Sequence, residues 1–260
     1  MSVQQMPARV ARKFRRLLFL CGLAAFGLPA VANAAVIQTT LDQLLPGGNQ
    51  SGGIVIGDKR YSAFTYSSSG QAPVAARDVN VRISNEGTNN VGNQQYTIQF
   101  TFGLDAFPGE RNDLVICYQL DVLSNDFIDE VGLRFNGSVP SQGPGNAAAS
   151  VIETVSTIDP DGAGPRTAPP VAPGSNDSTM VLDVFNDGPG RLPNDNDEFQ
   201  DVNLTRSLLF CKDILVSSQP TGGYAAISIV DNVVNQVPEP GMISLALIGG
   251  SALLLRRRKA

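Results

Sequence analysis

The sequence predicts an all-β fold, an antiparallel β-sandwich of jelly-roll type, and three observations carry this prediction. Residues 95–102 (QYTIQFTF) alternate strictly between apolar and polar side chains, and residues 78–83 (DVNVRI) do the same. Such alternation is typical of strands with one buried face. Clusters of Gly, Asn, Asp and Pro separate the apolar runs, as expected for turns. No interior stretch keeps a helical period over three turns, so many short strands in a sandwich are indicated.

Strand candidates follow one another along the chain, and each is an apolar or alternating run bounded by turn residues. They are residues 53–56, 60–66, 78–83, 95–102, 113–122, 127–135, 150–157, 179–185, 206–216 and 224–231. Residues 139–149 and 159–177 are rich in Pro, Gly and Ala. They are predicted to be exposed loops, because ordering them would cost entropy that little buried area would offset. We predict a single domain over residues 35–236, since half of it would hold too few strands for a core.

The first 34 residues have the three parts of a secretory signal peptide. A basic stretch, residues 9–16, precedes an apolar run at residues 17–28. Ala32 and Ala34 then supply the small residues that signal peptidase accepts. The apolar run is too short to span a bilayer. We therefore predict an N-terminal signal helix over residues 1–34, cleavage after Ala34, export of the chain, and signal peptidase as a partner.

Between the two predicted targeting segments lies an acidic domain with few catalytic options. Residues 35–236 hold 10 basic and 23 acidic residues, a net charge of −13, which argues against a nucleic-acid partner. The chain has no histidine and no tryptophan. Lack of histidine removes Ser-His-Asp triads, Cys-His pairs and ordinary zinc sites. A paired-carboxylate glycosidase remains chemically open, but acids such as Glu153 are interpreted as surface charge.

Two cysteines remain after the signal peptide, Cys117 in LVICYQLDV and Cys211 in SLLFCKDILV. In an exported protein such a pair predicts a disulfide between two strands. Two separate buried thiols, acting as small apolar side chains, are the alternative. A catalytic thiol would lack a histidine partner.

An acidic run at residues 194–201 offers oxygen atoms of the kind that calcium prefers. Its spacing does not match an EF-hand loop. We interpret the run as a solvated acidic loop and keep a calcium site as the alternative; no other cofactor is expected. The candidate calcium ligands are Asp195, Asp197, Glu198 and Asp201.

The C-terminal segment, residues 237–260, combines a proline-bracketed step, an apolar run and a basic end. Pro238, Glu239 and Pro240 break any continuing secondary structure. Residues 241–255 are uncharged and would form a transmembrane helix of about 22 Å, short against a hydrocarbon layer of about 30 Å. The basic cluster predicts that the C-terminus lies in the cytoplasm. That cluster is Arg256, Arg257, Arg258 and Lys259.

This tail resembles the PEP-CTERM sorting signal of exported bacterial proteins, on the Pro238-Glu239-Pro240 step, the short apolar helix and the basic end. The resemblance covers only these C-terminal residues. It implies that an exosortase, a membrane-embedded protease, cleaves near the proline step. It also implies transient anchoring in the inner membrane, followed by transfer to the cell surface or extracellular matrix of a polysaccharide-producing bacterium.

Three functions follow as hypotheses. The first is a non-enzymatic surface or matrix protein associated with exopolysaccharide in a biofilm. The second is a carbohydrate-binding β-sandwich, with or without calcium. The third is a secreted glycosidase, which the missing histidine does not exclude and no motif supports.

Overall fold

In the computed structural model, residues 35–89, 92–139, 147–157, 179–186 and 197–237 are described, and they form β-strands almost throughout. A short helix, α1 (Leu41–Leu44), and a 3-10 turn, Ala76–Asp78, follow the first strand and the third. The strands are β1 (Val36–Thr40), β2 (Ile54–Ile56), β3 (Lys59–Gly70), β4 (Asn80–Thr88), β5 (Gln94–Ala106), β6 (Arg111–Val122), β7 (Phe127–Phe135), β8 (Ala147–Thr157), β9 (Thr179–Asn186), β10 (Asp197–Thr205), β11 (Ser207–Ser218) and β12 (Ala225–Val237).

Two six-stranded antiparallel sheets form the predicted sandwich. Sheet A has the order β1-β4-β5-β12-β7-β10, and sheet B the order β2-β3-β6-β11-β8-β9. From β5 onward the pairing is nested: β5 pairs with β12, β6 with β11, β7 with β10 and β8 with β9. Nested pairing of this kind is the topology of a jelly roll, and the predicted antiparallel β-sandwich is confirmed for the described residues.

Alternation in the sequence located most of these strands, but two edge strands were missed. The predicted loop at residues 139–149 was wrong at its end, because Ala147 to Ala149 begin β8 and Ala149 is buried. Residues 197–201, which we interpreted as a solvated loop, form the first half of β10. The proposed loop at residues 159–177 lies outside the described residues, as do the predicted signal peptide, residues 1–34, and residues 238–260. Val237, the first residue of the predicted C-terminal segment, is the last residue of β12.

One hydrophobic core lies between the sheets, and the apolar residues of the alternating runs point into it. Tyr96, Ile98, Phe100 and Phe102 are all buried, as the alternation of β5 predicts. Tyr118 lies at the centre of an aromatic cluster, with its ring centroid 5.0 Å from that of Phe210. Burial of this apolar surface is the main stabilising contribution to the fold.

The predicted disulfide between Cys117 and Cys211 is present. The two residues lie 94 positions apart in sequence but face each other directly on β6 and β11, with their Cα atoms 4.1 Å apart. Both side chains project from the outer face of sheet B and are partly exposed. The bond therefore joins neighbouring strands rather than the two sheets.

The sandwich is closed along one side by contacts between the edge strands β9 and β10. Glu198 accepts a hydrogen bond from the backbone N–H of Asp183 at 2.5 Å, and Gln200 donates one to the carbonyl of Val181 at 3.1 Å. These side chains satisfy backbone groups of β9 that face away from β8. Such capping blocks pairing with another chain at this edge.

Candidate functional site

A continuous row of polar side chains crosses the outer face of sheet A. Strand register places Gln38 of β1 beside Arg82 of β4, and Arg82 beside Gln99 of β5. Gln99 pairs in turn with Asp231 of β12, and Asp231 with Arg134 of β7. Because residues that lie directly opposite each other on neighbouring strands project to the same side of a sheet, all five side chains lie on one face. We call Gln38, Arg82, Gln99, Asp231 and Arg134 the polar row.

A groove of about 570 Å³ lies over the β1–β4–β5 half of this face. The second row of side chains along it is also polar, with Thr40, Asn80 and Thr101 in register across the same three strands. Amides, hydroxyls and a guanidinium supply both donors and acceptors of hydrogen bonds within a short span. The groove therefore suits a ligand that carries many hydroxyl groups.

Asp231 is the most strongly perturbed member of the polar row. Burial raises the pKa of its carboxyl group, and the hydrogen bond to Gln99 and the charges of Arg134 and Arg82 only partly oppose this rise. Its Oδ1 atom has no hydrogen-bond partner among the described residues. That oxygen is buried, so it is an unsatisfied acceptor inside the protein and not a contact point in the groove, which is lined by residues that include Gln38, Arg82 and Gln99.

At the β10 side of the same face, an aromatic ring borders the polar row. The guanidinium carbon of Arg134 lies 4.8 Å from the centroid of the Phe199 ring. That ring lies against Gly132, where any Cβ atom would collide with it. A glycine in β7 is therefore what allows Phe199 to lie flat on the sheet.

A polar cluster lies at one end of the sandwich, around the turn between β2 and β3. Asp58 accepts hydrogen bonds from Lys59 at 2.7 Å, Tyr96 at 2.8 Å and Ser124 at 2.5 Å. Gln236, at the end of β12, donates to Asp58 at 2.8 Å and accepts from Lys59. Gly57, with φ of 58°, brings the turn close to Tyr96, where a side chain would collide with the Tyr96 hydroxyl. We call Asp58, Lys59, Tyr96, Ser124 and Gln236 the polar end cluster.

This cluster predicts a specific loss of stability in acid. Burial alone would raise the pKa of Asp58, but hydrogen bonds from Lys59 and Ser124 and the Lys59 charge lower it from 3.8 to about 2. A carboxyl group with a depressed pKa in the folded state stabilises the protein above its unfolded pKa. That stabilisation is lost as the pH falls through the folded value.

Between pH 3.8 and about 2, the free energy of unfolding of the unmodified chain should therefore fall by about 2 kcal/mol more than that of Asp58→Asn. Urea unfolding at a series of pH values measures this difference. Parallel pH profiles for the two proteins would contradict the role assigned to Asp58.

A second polar network lies in the core, between the sheets, and neither its lysine nor its carboxylate was expected there. Lys212 of β11 and Glu153 of β8 face each other directly and both are completely buried as an ion pair. Asn232 of β12 reaches them from sheet A: its Nδ2 atom donates to Glu153 at 2.6 Å, and its Oδ1 atom accepts from Lys212. The Tyr118 hydroxyl also donates to that Oδ1 atom, at 2.6 Å. We call Lys212, Glu153, Asn232 and Tyr118 the core network.

The interpretation of Glu153 as surface charge was wrong. In β8, the side chains of Ala147, Ala149 and Val151 point into the core. Glu153 continues this series of every second residue, so its side chain also points inward. Lys212 has the same parity as Phe210 and Ile214, and Asn232 the same as Val230 and Val234. That signal could have been read from the sequence, because a polar residue at an inward position of a strand must find a buried partner.

The candidate calcium ligands do not form one group in the described part of the chain. Glu198 and Asp201 lie three positions apart on β10 and so project from opposite faces, while Asp195 lies outside the described residues. Within the described ranges, no group of three or more metal-binding side chains occurs. Ala32, Ala34, the proline step and the basic cluster also lie outside those ranges. Among the described residues, no helix has the length and apolar character of a membrane span.

Known proteins show little similarity to this chain. No family model and no curated protein matches the chain. One solved structure, "TmCBM61 in complex with beta-1,4-galactotriose", is similar over 64% of this chain and 86% of its own, at 8% identity and a TM-score of 0.24. A likeness this distant says nothing about the function of this chain.

Proposed function

We propose that the sandwich is a non-catalytic polysaccharide-binding domain, and that the outer face of sheet A is its binding surface. The observation that carries the proposal is the polar row, which runs from Gln38 to Arg134 beside a groove of about 570 Å³. A sugar chain presents hydroxyl groups at regular intervals, and each can both donate and accept a hydrogen bond. Amide, guanidinium and carboxylate groups in a row match such a ligand.

Charge narrows the class of ligand to neutral polysaccharide. The domain between the targeting segments carries a net charge of −13. A polyanionic glycan would be repelled by this charge as a whole, although Arg82 and Arg134 lie on the binding face. A glycosidase would need a pair of carboxyl groups flanking the scissile bond. Asp231 is not the single acidic residue at these paired positions, because β10 places Asp197 in register with Arg134. We assign binding without turnover to this face.

The test compares two variants of the exported protein on a panel of immobilised neutral and acidic polysaccharides. Arg82→Ala/Gln99→Ala should bind about tenfold or more weakly than the unmodified protein, because two hydrogen-bonding side chains are lost. Phe107→Ala/Tyr224→Ala is the matched control. These two rings are 54% and 36% exposed and form an aromatic pair away from the polar row. Binding lost in the aromatic control and kept in the polar-row variant would overturn the site.

Two further outcomes bear on the alternatives. Loss of binding in the presence of a chelator would assign the interaction to a calcium-dependent site, and an unchanged affinity would remove that alternative. Release of reducing ends from any bound polysaccharide would contradict the non-enzymatic assignment.

We also propose that the chain reaches the cell surface through its C-terminal segment. β12 lies between β5 and β7 in sheet A and extends to Val237, so cleavage at Pro238 to Pro240 would leave the central strand whole. Cleavage several residues earlier would remove Gln236 from the polar end cluster. Mass spectrometry of the extracellular protein should find a C-terminus between Pro238 and Gly241. Recovery of extracellular peptides that contain Ala252 to Leu255 would contradict exosortase processing.

A further inference from the structure

We propose that Lys212 and Asn232 become joined by an intramolecular isopeptide bond across the core of the sandwich, with Glu153 as the catalytic carboxyl group. The inference rests on the contacts of the core network and does not depend on the proposed function. Lysine is rarely buried completely, yet both lysines of the domain, Lys59 and Lys212, are. In Lys212 the amine touches the side-chain carboxamide of Asn232 and the carboxyl group of Glu153 together.

The arrangement of atoms matches an acyl transfer from nitrogen to nitrogen. The nucleophile is Nζ of Lys212, and the electrophile is the carboxamide carbon of Asn232, whose Oδ1 atom contacts that amine. Glu153 bridges the reacting groups: one carboxyl oxygen contacts Nζ of Lys212, and the other lies 2.6 Å from Nδ2 of Asn232, the leaving nitrogen. The Tyr118 hydroxyl donates to Oδ1, where negative charge would develop in the transition state.

The reaction balances without any co-reactant. Nζ of Lys212 attacks the carboxamide carbon of Asn232, and a carbon–nitrogen bond forms. One oxygen of Glu153 takes a proton from Nζ, and the other gives a proton to Nδ2. The bond between the carboxamide carbon and Nδ2 then breaks, ammonia leaves, and Glu153 returns to its initial protonation state. The product is a secondary amide between the two side chains, and no oxidant or reductant is consumed.

Burial in an apolar surrounding supplies the protonation states that this reaction needs. Desolvation lowers the pKa of Lys212 and raises the pKa of Glu153, and the attraction between the two groups only partly opposes these shifts. An uncharged amine is nucleophilic, and a protonated carboxyl group can hand on a proton. The rings of Tyr118, Phe210 and Phe100, with centroids between 5.1 and 5.8 Å from Nζ, surround the amine in the described structure.

The polar end cluster provides a comparison within the same chain. Lys59 also contacts a side-chain amide, that of Gln236, and both contact the carboxylate of Asp58. There, however, Asp58 is 22% exposed and its pKa is lowered to about 2, so it stays ionised. Burial lowers the pKa of Lys59 as it does that of Lys212, but an ionised Asp58 has no proton to give to the leaving nitrogen of Gln236. Only the Lys212–Asn232 bond is therefore expected.

The bond would connect the two sheets, which the disulfide does not. Lys212 lies on β11 in sheet B, and Asn232 lies on β12 in sheet A. β12 is also the strand that leads to the C-terminal segment. If that segment anchors the precursor, as proposed above, a pull on it would act on a strand that is covalently tied to the opposite sheet.

Mass spectrometry of the full chain, reduced and denatured, tests the proposal. The intact mass should be lower than the sequence mass by one ammonia. Because an asparagine before glycine can also lose ammonia by cyclisation, the link is then located by digestion with a protease that cuts before aspartate. Cuts before Asp213 and Asp231 separate Lys212 from Asn232 in the linear chain. A linked chain yields one branched peptide that contains both residues.

Variants identify the roles of the groups. Glu153→Gln and Lys212→Met should each retain the full mass, whereas Lys59→Met, which removes the other buried lysine, should still lose one ammonia. The unmodified chain alone can decide the question if a variant fails to fold. Recovery of separate, unmodified peptides with Lys212 and Asn232 would overturn the bond. A branched peptide that contains Asn232 in Lys212→Met, or a link between Lys59 and Gln236, would overturn the assignment.

Discussion

Replacing Lys212 by methionine is expected to lower the free energy of unfolding by at least about 3–5 kcal/mol, because Glu153 would be left in the core without its partner. Lys212 and Glu153 are both completely buried and directly opposed on neighbouring strands. A carboxyl group in that position must either stay charged in a low dielectric or take up a proton. In a chain that carries the Lys212–Asn232 bond, the variant also loses a link between the sheets. Urea unfolding followed by tyrosine fluorescence measures the change, since the chain has no tryptophan.

Two control variants show whether the loss of stability in Lys212→Met comes from the unpaired buried carboxyl group or from the loss of a positive charge. Lys212→Met/Glu153→Gln removes both ionisable groups while the glutamine can still hydrogen-bond Asn232, so part of the loss should be recovered. Arg77→Met removes one positive charge from a side chain that is 79% exposed and lies 4.0 Å from Asp78. It should change the free energy of unfolding by no more than about 0.5 kcal/mol. A Lys212→Met protein as stable as the Arg77→Met control would contradict the role of the core network.

Removing the disulfide is the second large change we expect. Replacing Cys117 and Cys211 together by alanine should lower the free energy of unfolding by about 4–5 kcal/mol in the chain-entropy account, since the bond closes a loop of 94 residues. The effect acts on the unfolded chain, which gains freedom when the bond is absent. The folded state should persist, because the β6–β11 ladder extends from the Ser207–Asp121 pair to the Ser217–Arg111 pair.

The measurement is a comparison of urea unfolding for the oxidised chain, the reduced chain and the double alanine variant. The reduced chain and the variant should have similar midpoints, both well below that of the oxidised chain. The loops closed by the disulfide and by the proposed Lys212–Asn232 bond do not overlap in sequence, so each should constrain the unfolded chain separately. An oxidised chain with the same midpoint as the variant would contradict a stabilising disulfide.

Alternation of side chains predicted most of the fold, and the two missed strands show where that signal is weak. β5 buries one face from Tyr96 to Ala106, and β4 buries Val81 and Ile83, so apolar and polar residues alternate cleanly in these stretches. β1 and β10 are edge strands of sheet A and bury less. The first half of β10 is charged, which protects an edge from pairing with another chain and looks like a loop in the sequence. Both β1 and β10 were missed because they are edge strands, and edge position is a property of the whole sheet.

The candidate sites were much harder to predict than the strands. The polar row depends on register across five strands, and its members come from residues 38 to 231 of the chain. Parity shows that Glu153, Lys212 and Asn232 point inward, but sequence alone does not show that they meet. Their meeting depends on β8 and β11 being neighbours and on β12 lying opposite them, which follows from the nested pairing of the jelly roll. The disulfide was easier, because only two of the three cysteines lie in the predicted domain and they leave a single possible pairing.

We propose that the outer face of sheet A binds neutral polysaccharide. Nuclear magnetic resonance tests it most directly, by following the side-chain N–H signals of the ¹⁵N-labelled protein during titration with a polysaccharide that it binds. The signals of Gln38, Gln99 and Arg82 should shift and saturate together. The signal of Gln219, which lies in the β11–β12 connection near Tyr224, should stay in place. Shifts at Gln219 with none at Gln38, Gln99 and Arg82 would contradict the proposed binding face.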